Sequence, residues 1–492
     1  SQPLLTPHCL TFLARITVSA YYPAISHLCT EGDRLSSAAP NDPSKLEKTQ
    51  SSLYGMRGFY VMWFGQFVSI FGSRMTQFAI TIWAWDLTGT ATGLILVGVI
   101  TYLPGIFLSP FAGTLIDRWN RKLVLALSDL GAALSTVILL ILFLTDSAQI
   151  WHLYATGALS SAFGAFQYPA YSAVVTTMVP KEQYARANGM RSVIGSASGI
   201  AAPLLAGALL AVVDIPTIMF IDLGTFIFAI ITLLILHIPQ PRLSQESEQA
   251  RSTVWSETLD GLRYILNHRS LIAIFLYFTL SNIHSGFGYP LIAPVILAKT
   301  GDDSVILGII NSVDSVGLLI GGLLMTVWGG PRKRIHAINM SFIAWGLFGA
   351  FIFGPSWSLT FWILGSFVMS FVPPIINSAY IAILQAKVTP EMQGRVFGIE
   401  YTLTAVSFPL SQLLAGQLAD RVLEPALLPG GSLNDLLGPI FGAGPGAGMG
   451  LTIFIGGIIA IITGVVGYLI EPIREIETHM PDHGVDKAPE PA

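Results

Sequence analysis

The sequence predicts an all-α membrane protein of twelve transmembrane helices, built as two pseudo-symmetric halves of six. Three observations carry that reading. Only 11% of the 492 residues are charged and 52% are hydrophobic, with a mean hydropathy of +0.65, whereas soluble domains are about one-quarter charged. Apolar stretches recur that reach the roughly 20 residues needed to cross about 30 Å of hydrocarbon. A charged decapeptide, GTLIDRWNRK at 113–122, has a weakened counterpart, MTVWGGPRKR at 325–334.

Residues 1–54 precede the spans. They are polar and Pro/Ser-containing, and their one apolar patch, LTFLARITVSAYY, contains Arg15 and is too short to span. They read as a flexible extension outside the fold, or the remnant of an upstream segment, and fit a cleaved signal poorly. The N-terminal half, 55–238, holds candidate spans near 58–85, 93–113, 122–145, 151–178, 187–213 and 216–238. Residues 239–269 form a linker. It opens on the polar PQPRLSQESEQARS and continues into VWSETLDGLRYILNH, whose Val254, Leu259, Leu262, Ile265 and Leu266 share one helical face. The second stretch is expected to be an amphipathic helix bracing the halves or lying on the membrane. The C-terminal half, 270–472, holds spans near 270–298, 304–328, 335–354, 357–386, 395–420 and 448–470. A Gly/Pro-rich loop is expected between its last two spans, and a disordered tail over 473–492. No stretch has the ten-residue alternation of a membrane β-strand.

Positive charge sets the direction. Arg118, Arg121, Lys122, Lys181, Arg186, the linker arginines, Arg332, Lys333, Arg334, Lys387 and Arg395 lie in the loops that follow even-numbered spans; the opposite loops hold only Lys299 and Arg421. By the positive-inside rule both termini are cytoplasmic, in the plasma (inner) membrane. The net charge of −4 comes without a basic face, so nucleic-acid binding has no support. Cys9 and Cys29, the two cysteines, precede the first span, which excludes a disulfide framework or a cysteine metal site in the core. No phosphate-cradling Gly-Lys-Ser/Thr loop appears, so ATP is not the expected energy source. No cofactor, metal site or enzyme chemistry is expected, and the chain reads as a monomer.

In the repeated loop, Lys333 and Arg334 stand where Arg121 and Lys122 do, while Met325 replaces Gly113 and Gly329 replaces Asp117. The pattern Gly113, three residues, Asp117-Arg118, two residues, Arg121-Lys122 resembles the loop signature of the major facilitator superfamily. FYVMWFGQFVSIFGSRMTQFAI, FQYPAYSAVV, VPKEQYARANG, GGLLMTVWGG and TPEMQGRVFGI are similar to its branch of macrolide-efflux and enterobactin-exporter-like permeases. The resemblance covers roughly 55–475. It implies a cytoplasmic latch of the outward-open state, with Asp117 at the N-terminus of span eleven near 394–396, where a carboxylate meets unpaired N–H groups. Arg118, Arg121 and Lys122 would pair with nearby carboxylates and carbonyls, and Gly113 would permit close helix approach. The inner end of span four, VVTTMVP, lacks the acid that completes a charge relay in many relatives. Gly195, Gly199, Pro203 and Gly207 in span five recur every four residues. They make a smooth stripe for helix packing and resemble the superfamily's antiporter motif.

An ionisable group in hydrocarbon costs about 2.5–3.5 kcal/mol or more and usually faces a cavity or a partner. Arg74 in span one, His284 in span seven and Asp314 in span eight lie at similar depth. The resemblance implies that spans one and seven line the cavity. Asp314 is placed to pair with Arg74 or His284, and these three with Asp222 are the proton-coupling candidates. Asp129, Asp222 and Glu400 also fit a structural role, bonding backbone or a neighbouring helix. Gln77, Gln167, Tyr168, Tyr171, Asn282, Tyr289, Asn377 and Tyr380 are candidate substrate contacts in a mostly apolar chamber, or else interhelical bonds.

The leading expectation is proton-coupled efflux of a bulky amphipathic solute, a drug, macrolide or siderophore-like molecule, by alternating access. An importer of a siderophore or other metabolite is the alternative, and a non-transporting membrane sensor or scaffold the second.

Overall fold

A computed structural model of the chain describes residues 55–180, 183–236, 238 and 261–480; within these, the side chains at 109–111, 113–118, 185, 390, 391, 394, 401 and 479 lie outside the description. The expected extension, most of the linker including its amphipathic face, and the last twelve residues, 481–492, therefore also lie outside the described residues.

Among the described residues twelve long rods follow in order: α1 Met56–Thr88, α2 Ala91–Arg118, α3 Arg121–Leu144, α4 Ile150–Met178, α5 Tyr184–Leu210, α6 Ile215–Ile235, α7 Arg269–Thr300, α8 Ser304–Trp328, α9 Arg334–Phe353, α10 Leu359–Lys387, α11 Pro390–Leu418 and α12 Ala447–Leu469. No strand occurs among the described residues. Nine of the rods are long and apolar enough to cross a membrane; α1, α4 and α11, at 33, 29 and 29 residues, are long enough but not among the nine. These three are lowered in mean hydropathy by interior polar side chains such as Gln66, Arg74, Gln77, Gln167 and Glu400.

Local chemistry sets several ends. Gly89 terminates α1 in a left-handed conformation at φ 58°, its N–H returning to the Trp85 carbonyl. The Asn120 side chain accepts from the Leu123 N–H to start α3, Asp214 accepts from Thr217 to start α6, and Asp303 accepts from Val305 and Ile306 to start α8. Asp214 is held below the ordinary carboxylate range by the Thr217 hydroxyl and N–H.

Packing repeats between the halves. In the first, α1 packs on α5 and α6, α2 on α4, and α3 on α4 and α6; in the second, α7 packs on α11 and α12, α8 on α10, and α9 on α10 and α12. Each of these pairings in the first half has its counterpart six helices later. The halves meet along α5–α8 and α2–α11, which are themselves counterparts. Lipid gives little hydrophobic drive between helices, so close approach has to come from small residues. The α5–α8 contact shows it. A Cβ added at Gly199, Gly207 or Gly308 would meet Ser315 Oγ at 2.6 Å, the Ser304 carbonyl at 2.5 Å or the Pro203 carbonyl at 2.6 Å. Ser304 Oγ donates to the Gly207 carbonyl at 3.1 Å and Ser312 Oγ to the Ile200 carbonyl at 2.6 Å.

One end of the bundle is basic, with Arg121, Lys122, Arg186, Lys333, Arg334, Lys387 and Arg395; the other is mainly acidic, with Asp86, Asp146, Asp214, Asp302, Asp303, Asp420 and Glu424.

Two sequence expectations are corrected. Residues 473–480 of the expected tail are structured: short helices Glu471–Arg474 and Ile476–His479 bury Ile473, Ile476 and Met480 against the bundle. Lys387 Nζ donates to the Glu477 and Met480 carbonyls at 2.6 and 2.5 Å, and Glu477 Oε2 accepts from the Ile335 N–H at 3.1 Å. Three apolar side chains and a capping carboxylate outweigh the segment's polar composition. The expected loop before α12 is also partly helical, with α11 continuing through Ala419–Leu423 and Glu424–Leu427 and a separate helix at Asn434–Phe441. Glu424 explains why it is pinned: its carboxylate accepts from the Gly446, Gly448 and Met449 N–H groups at 2.6, 2.8 and 3.3 Å, capping α12. Burial raises its pKa, and those three bonds oppose the rise.

Candidate transport site

Two interior regions gather the polar side chains, one in each half. In the C-terminal half a cavity of about 520 Å³ is lined by Phe278, Asn282 and His284 of α7, Phe342 and Trp345 of α9, Asn377 and Tyr380 of α10, and Glu400 and Thr404 of α11. The Tyr380 ring stacks on Phe278 with centroids 3.6 Å apart. His284 is 3% exposed and meets Phe342 and Trp345 edge to face at 5.1 and 4.8 Å. Trp345 opens a π-helical segment, Trp345–Ala350, of a kind that recurs at functional positions. Asn282 Nδ2 donates to Ser407 Oγ at 2.8 Å, tying α7 to α11, and Thr404 Oγ1 donates to Glu400 Oε1 at 3.2 Å. The result is an aromatic wall with amides and one carboxylate, suited to a large, mostly apolar molecule with a few polar groups.

In the N-terminal half, Asp129 of α3 is 4% exposed and accepts from Gln66 of α1 and Gln167 of α4, both at 2.7 Å. One carboxylate thus ties three helices together. Asp222 of α6 accepts from Ser73 Oγ of α1 at 3.0 Å and Thr136 Oγ1 of α3 at 3.2 Å. A cavity of about 360 Å³ brings Arg74, Gln77, Asp129, Gln167 and Asp222 to one place. Arg74 is exposed there and has no hydrogen-bond or ion-pair partner among the described residues.

Other candidates fall elsewhere. Asp314 pairs with neither Arg74 nor His284, against expectation; it takes the hydroxyls of Ser366 and Ser370, clamping α8 to α10. Equal depth in the membrane does not give equal direction around the helix, and this face of α8 looks into its own half. Tyr289 donates to the Met369 carbonyl, which Trp345 Nε1 also reaches at 3.1 Å. Tyr168 lies under the Arg191 guanidinium at 3.9 Å, with Tyr171 further off at 5.7 Å. Gly195 has open space around it, whereas Gly199, Pro203 and Gly207 form the α5 side of the contact with α8.

In the charged loop, the side chains of Gly113, Asp117 and Arg118 lie outside the described residues, as does that of Gly394, so the contact expected for Asp117 does too. Arg121 Nη1 donates to the Ala173 carbonyl at 2.9 Å, and Lys122 Nζ to the Leu234 and Leu236 carbonyls at 2.8 Å. A cation closing the last carbonyls of α6 is favoured by the helix dipole.

Sequence reading missed the aromatic wall of Phe278, Phe342 and Trp345 and the hydroxyls around Asp222. Single Phe, Ser and Thr residues in a greasy helix carry no distinguishing spacing. It also missed the junction at the acidic end. The Asp420 carboxylate, at the end of α11, accepts from the first two N–H groups of α2, Ala91 at 3.0 Å and Thr92 at 2.6 Å. Trp85 Nε1 donates to Asp302 Oδ1 at 2.8 Å, joining α1 to the turn after α7.

Two six-helix halves with repeated packing, joined along α2–α11 and α5–α8 and holding polar groups at mid-depth, define a multi-pass membrane transporter. The chain belongs to the Major Facilitator Superfamily, whose family model matches residues 62–412. It is 29% identical over 371 residues to macrolide efflux protein A of Streptococcus pyogenes, covering 74% of this chain and 90% of that protein. It is 25% identical over 382 residues to multidrug resistance protein MdtG of Proteus mirabilis, covering 74% and 89%. Among solved structures, the nucleoside transporter NupG superposes with a TM-score of 0.61 at 13% identity, covering 83% of this chain and 98% of that one. A bacterial homologue of the lysosomal transporter Spinster, inward-facing, gives 0.59 at 14% identity, covering 85% and 96%. The structures speak to the fold alone.

Proposed function

We propose that this transporter exports bulky amphipathic molecules of the macrolide kind, driven by inward proton movement. The basic end faces the cytoplasm, as positive charge dictates, and the two halves rock about the central contacts. The aromatic cavity with Glu400 carries the reading: it combines apolar faces for a large solute with one carboxylate and several amide and hydroxyl groups, among them Asn282, Asn377 and Thr404, to orient it. The names borne by the sequence relatives support the solute class. The α5 stripe supports the direction of opening. Contact with α8 runs from Gly207 to Gly199 and a Cβ at Gly195 meets nothing within 4 Å, so the helices part toward the basic end. Closure at the acidic end then rests on Asp420 and Trp85. The charged loop around Asp117 would latch the opposite end in the other state.

Radiolabelled erythromycin uptake into inverted membrane vesicles tests this. Uptake that collapses on adding a protonophore supports it; uptake that survives the protonophore refutes proton drive, and accumulation by intact cells rather than exclusion refutes export.

A further inference from the structure

We propose that a chamber in the N-terminal half binds a neutral polyhydroxylated group, a glycosyl unit, apart from the aromatic cavity. The inference rests on the export reading only in making that group part of the exported solute; its binding is measured on its own.

The chamber has a volume of about 450 Å³ and lies between α1, α2, α3, α4 and α6, a size ordinary for a small-molecule site. Its lining comes from the later halves of α1 and α3 and the first turns of α2 and α4, so it lies toward the acidic end. Two glycines draw α2 and α4 together on one side of it: a Cβ at Gly157 would meet the Thr101 side chain, and one at Gly105 the Ser161 hydroxyl. A Cβ at Gly98, on the same face of α2, would meet nothing within 4 Å, and there the helices part to admit a ligand.

Ten of the twenty lining residues carry a hydroxyl, which makes this wall unlike the aromatic one. Most of their protons are spent. Thr81, Thr101, Ser135 and Thr156 donate to carbonyls of their own helices at 2.9, 3.0, 3.1 and 2.7 Å. Ser73 and Thr136 donate to Asp222 at 3.0 and 3.2 Å, and Thr76 is bonded to it as well. A hydroxyl that has given up its proton still offers a lone pair, so these side chains present acceptors. Donors come from elsewhere. The Gln77 amide, on this wall, and the Arg74 guanidinium, on the adjoining 360 Å³ cavity, have no hydrogen-bond partner among the described residues. Apolar side chains, Ile80, Leu94, Val97, Leu139 and Leu153, separate the polar groups.

The pattern selects the ligand. Acceptors on most of the wall disfavour an anion. A cation would find Asp222 already engaged by three hydroxyls, with Arg74 close by. Water would satisfy the polar groups but gain nothing from the apolar ones. A sugar ring presents hydroxyls, each one donor and two lone pairs, on an apolar C–H frame, and so meets acceptors, donors and apolar patches together.

The test is equilibrium dialysis of 4-nitrophenyl β-D-glucoside, galactoside and mannoside against purified full-length protein in nanodiscs. The comparison ligand is 2-(4-nitrophenoxy)tetrahydropyran, the same ring without hydroxyls, which a site built to bond hydroxyls rejects. Saturable binding of at least one glycoside is expected, with none of the tetrahydropyranyl ether. Gln77→Leu and Thr156→Val should each weaken it by about three- to tenfold, the size of one hydrogen bond. Thr326→Val serves as control, because its hydroxyl also donates to its own helix but lies on α8, outside the chamber. Gln77 is exposed, so Gln77→Leu reports even if the buried Thr156→Val does not fold. No saturable binding of any of the three glycosides, equal binding of the ether, or binding unchanged in both variants overturns the proposal. Glycoside binding that persists while vesicles fail to take up erythromycin refutes export alone; erythromycin uptake without glycoside binding refutes this site alone.

Discussion

Replacing Asp420 by Asn should open the acidic end of the transporter. In the structure this carboxylate accepts from the N–H groups of Ala91 and Thr92 at 3.0 and 2.6 Å, at the N-terminus of the 28-residue α2. Hydrogen bonds to a charged group are each worth about 1.5–3 kcal/mol, and a carboxylate at a helix N-terminus adds about 0.3–1 kcal/mol. Asparagine keeps one acceptor oxygen but loses the charge and turns an amide N–H₂ toward the second donor. A loss of about 2 kcal/mol follows, specific to the state in which α2 and α11 touch here. That is roughly a 30-fold shift of the conformational equilibrium toward the state open at this end. The assay is pulsed electron–electron resonance between spin labels on cysteines introduced at Thr90 and Arg421, after Cys9 and Cys29 are replaced by serine. The distance distribution should gain a longer population in Asp420→Asn. Asp435→Asn serves as control, because Asp435 is exposed on the short helix before α12. A distribution that moves no further in Asp420→Asn than in the control refutes the reasoning.

Four further outcomes are expected. Tyr380→Ala and Glu400→Gln should each weaken erythromycin binding by about tenfold, the size of one lost aromatic face or charged contact, in equilibrium dialysis; unchanged binding in both would move the solute out of the aromatic cavity. Asp129→Ala strands the buried amide donor of Gln66, at about 1–3 kcal/mol, and also frees the half-buried Gln167, so it should lower the melting temperature in detergent, with Asp129→Asn less damaging. Gly207→Leu puts a side chain into the Ser304 backbone and should raise thiol labelling at the acidic end several-fold, while Gly195→Ala, with open space around it, should not. Lys387→Met removes the amine held by the Glu477 and Met480 carbonyls and should increase hydrogen exchange across 473–480 without changing that of α12.

Much of the fold was legible because the bilayer imposes a length and a composition that survive in any single span. The repeat of a charged loop after span two and span eight was enough to expect two related halves, and the packing pairs repeat accordingly. Residues whose role depends on direction around a helix were not legible. Asp314 lies at the depth of Arg74 and His284 yet faces Ser366 and Ser370. Asp420 was passed over because nothing local to RVLEPALL tells that the start of α2, more than three hundred residues earlier, sits against it. The tail was misjudged for a related reason: its four-residue helices are too short for periodicity to show, and Ile473, Ile476 and Met480 become a core only when α7, α9 and α10 are beneath them. His284, expected as a proton-coupling candidate, and Tyr380, expected as a substrate contact, both line the 520 Å³ cavity; a titratable or amphipathic ring in a greasy span stands out by type alone. Their aromatic neighbours do not stand out.

The most direct test of the whole account is solute movement by the purified protein in proteoliposomes with no nucleotide present, oriented so that the basic end faces the bath. With an outward-directed proton gradient imposed across the vesicle, labelled erythromycin should enter and accumulate above its external concentration, and the accumulation should disappear when the gradient is dissipated. Equilibration to equal concentrations regardless of the gradient, or no entry at all, would contradict it.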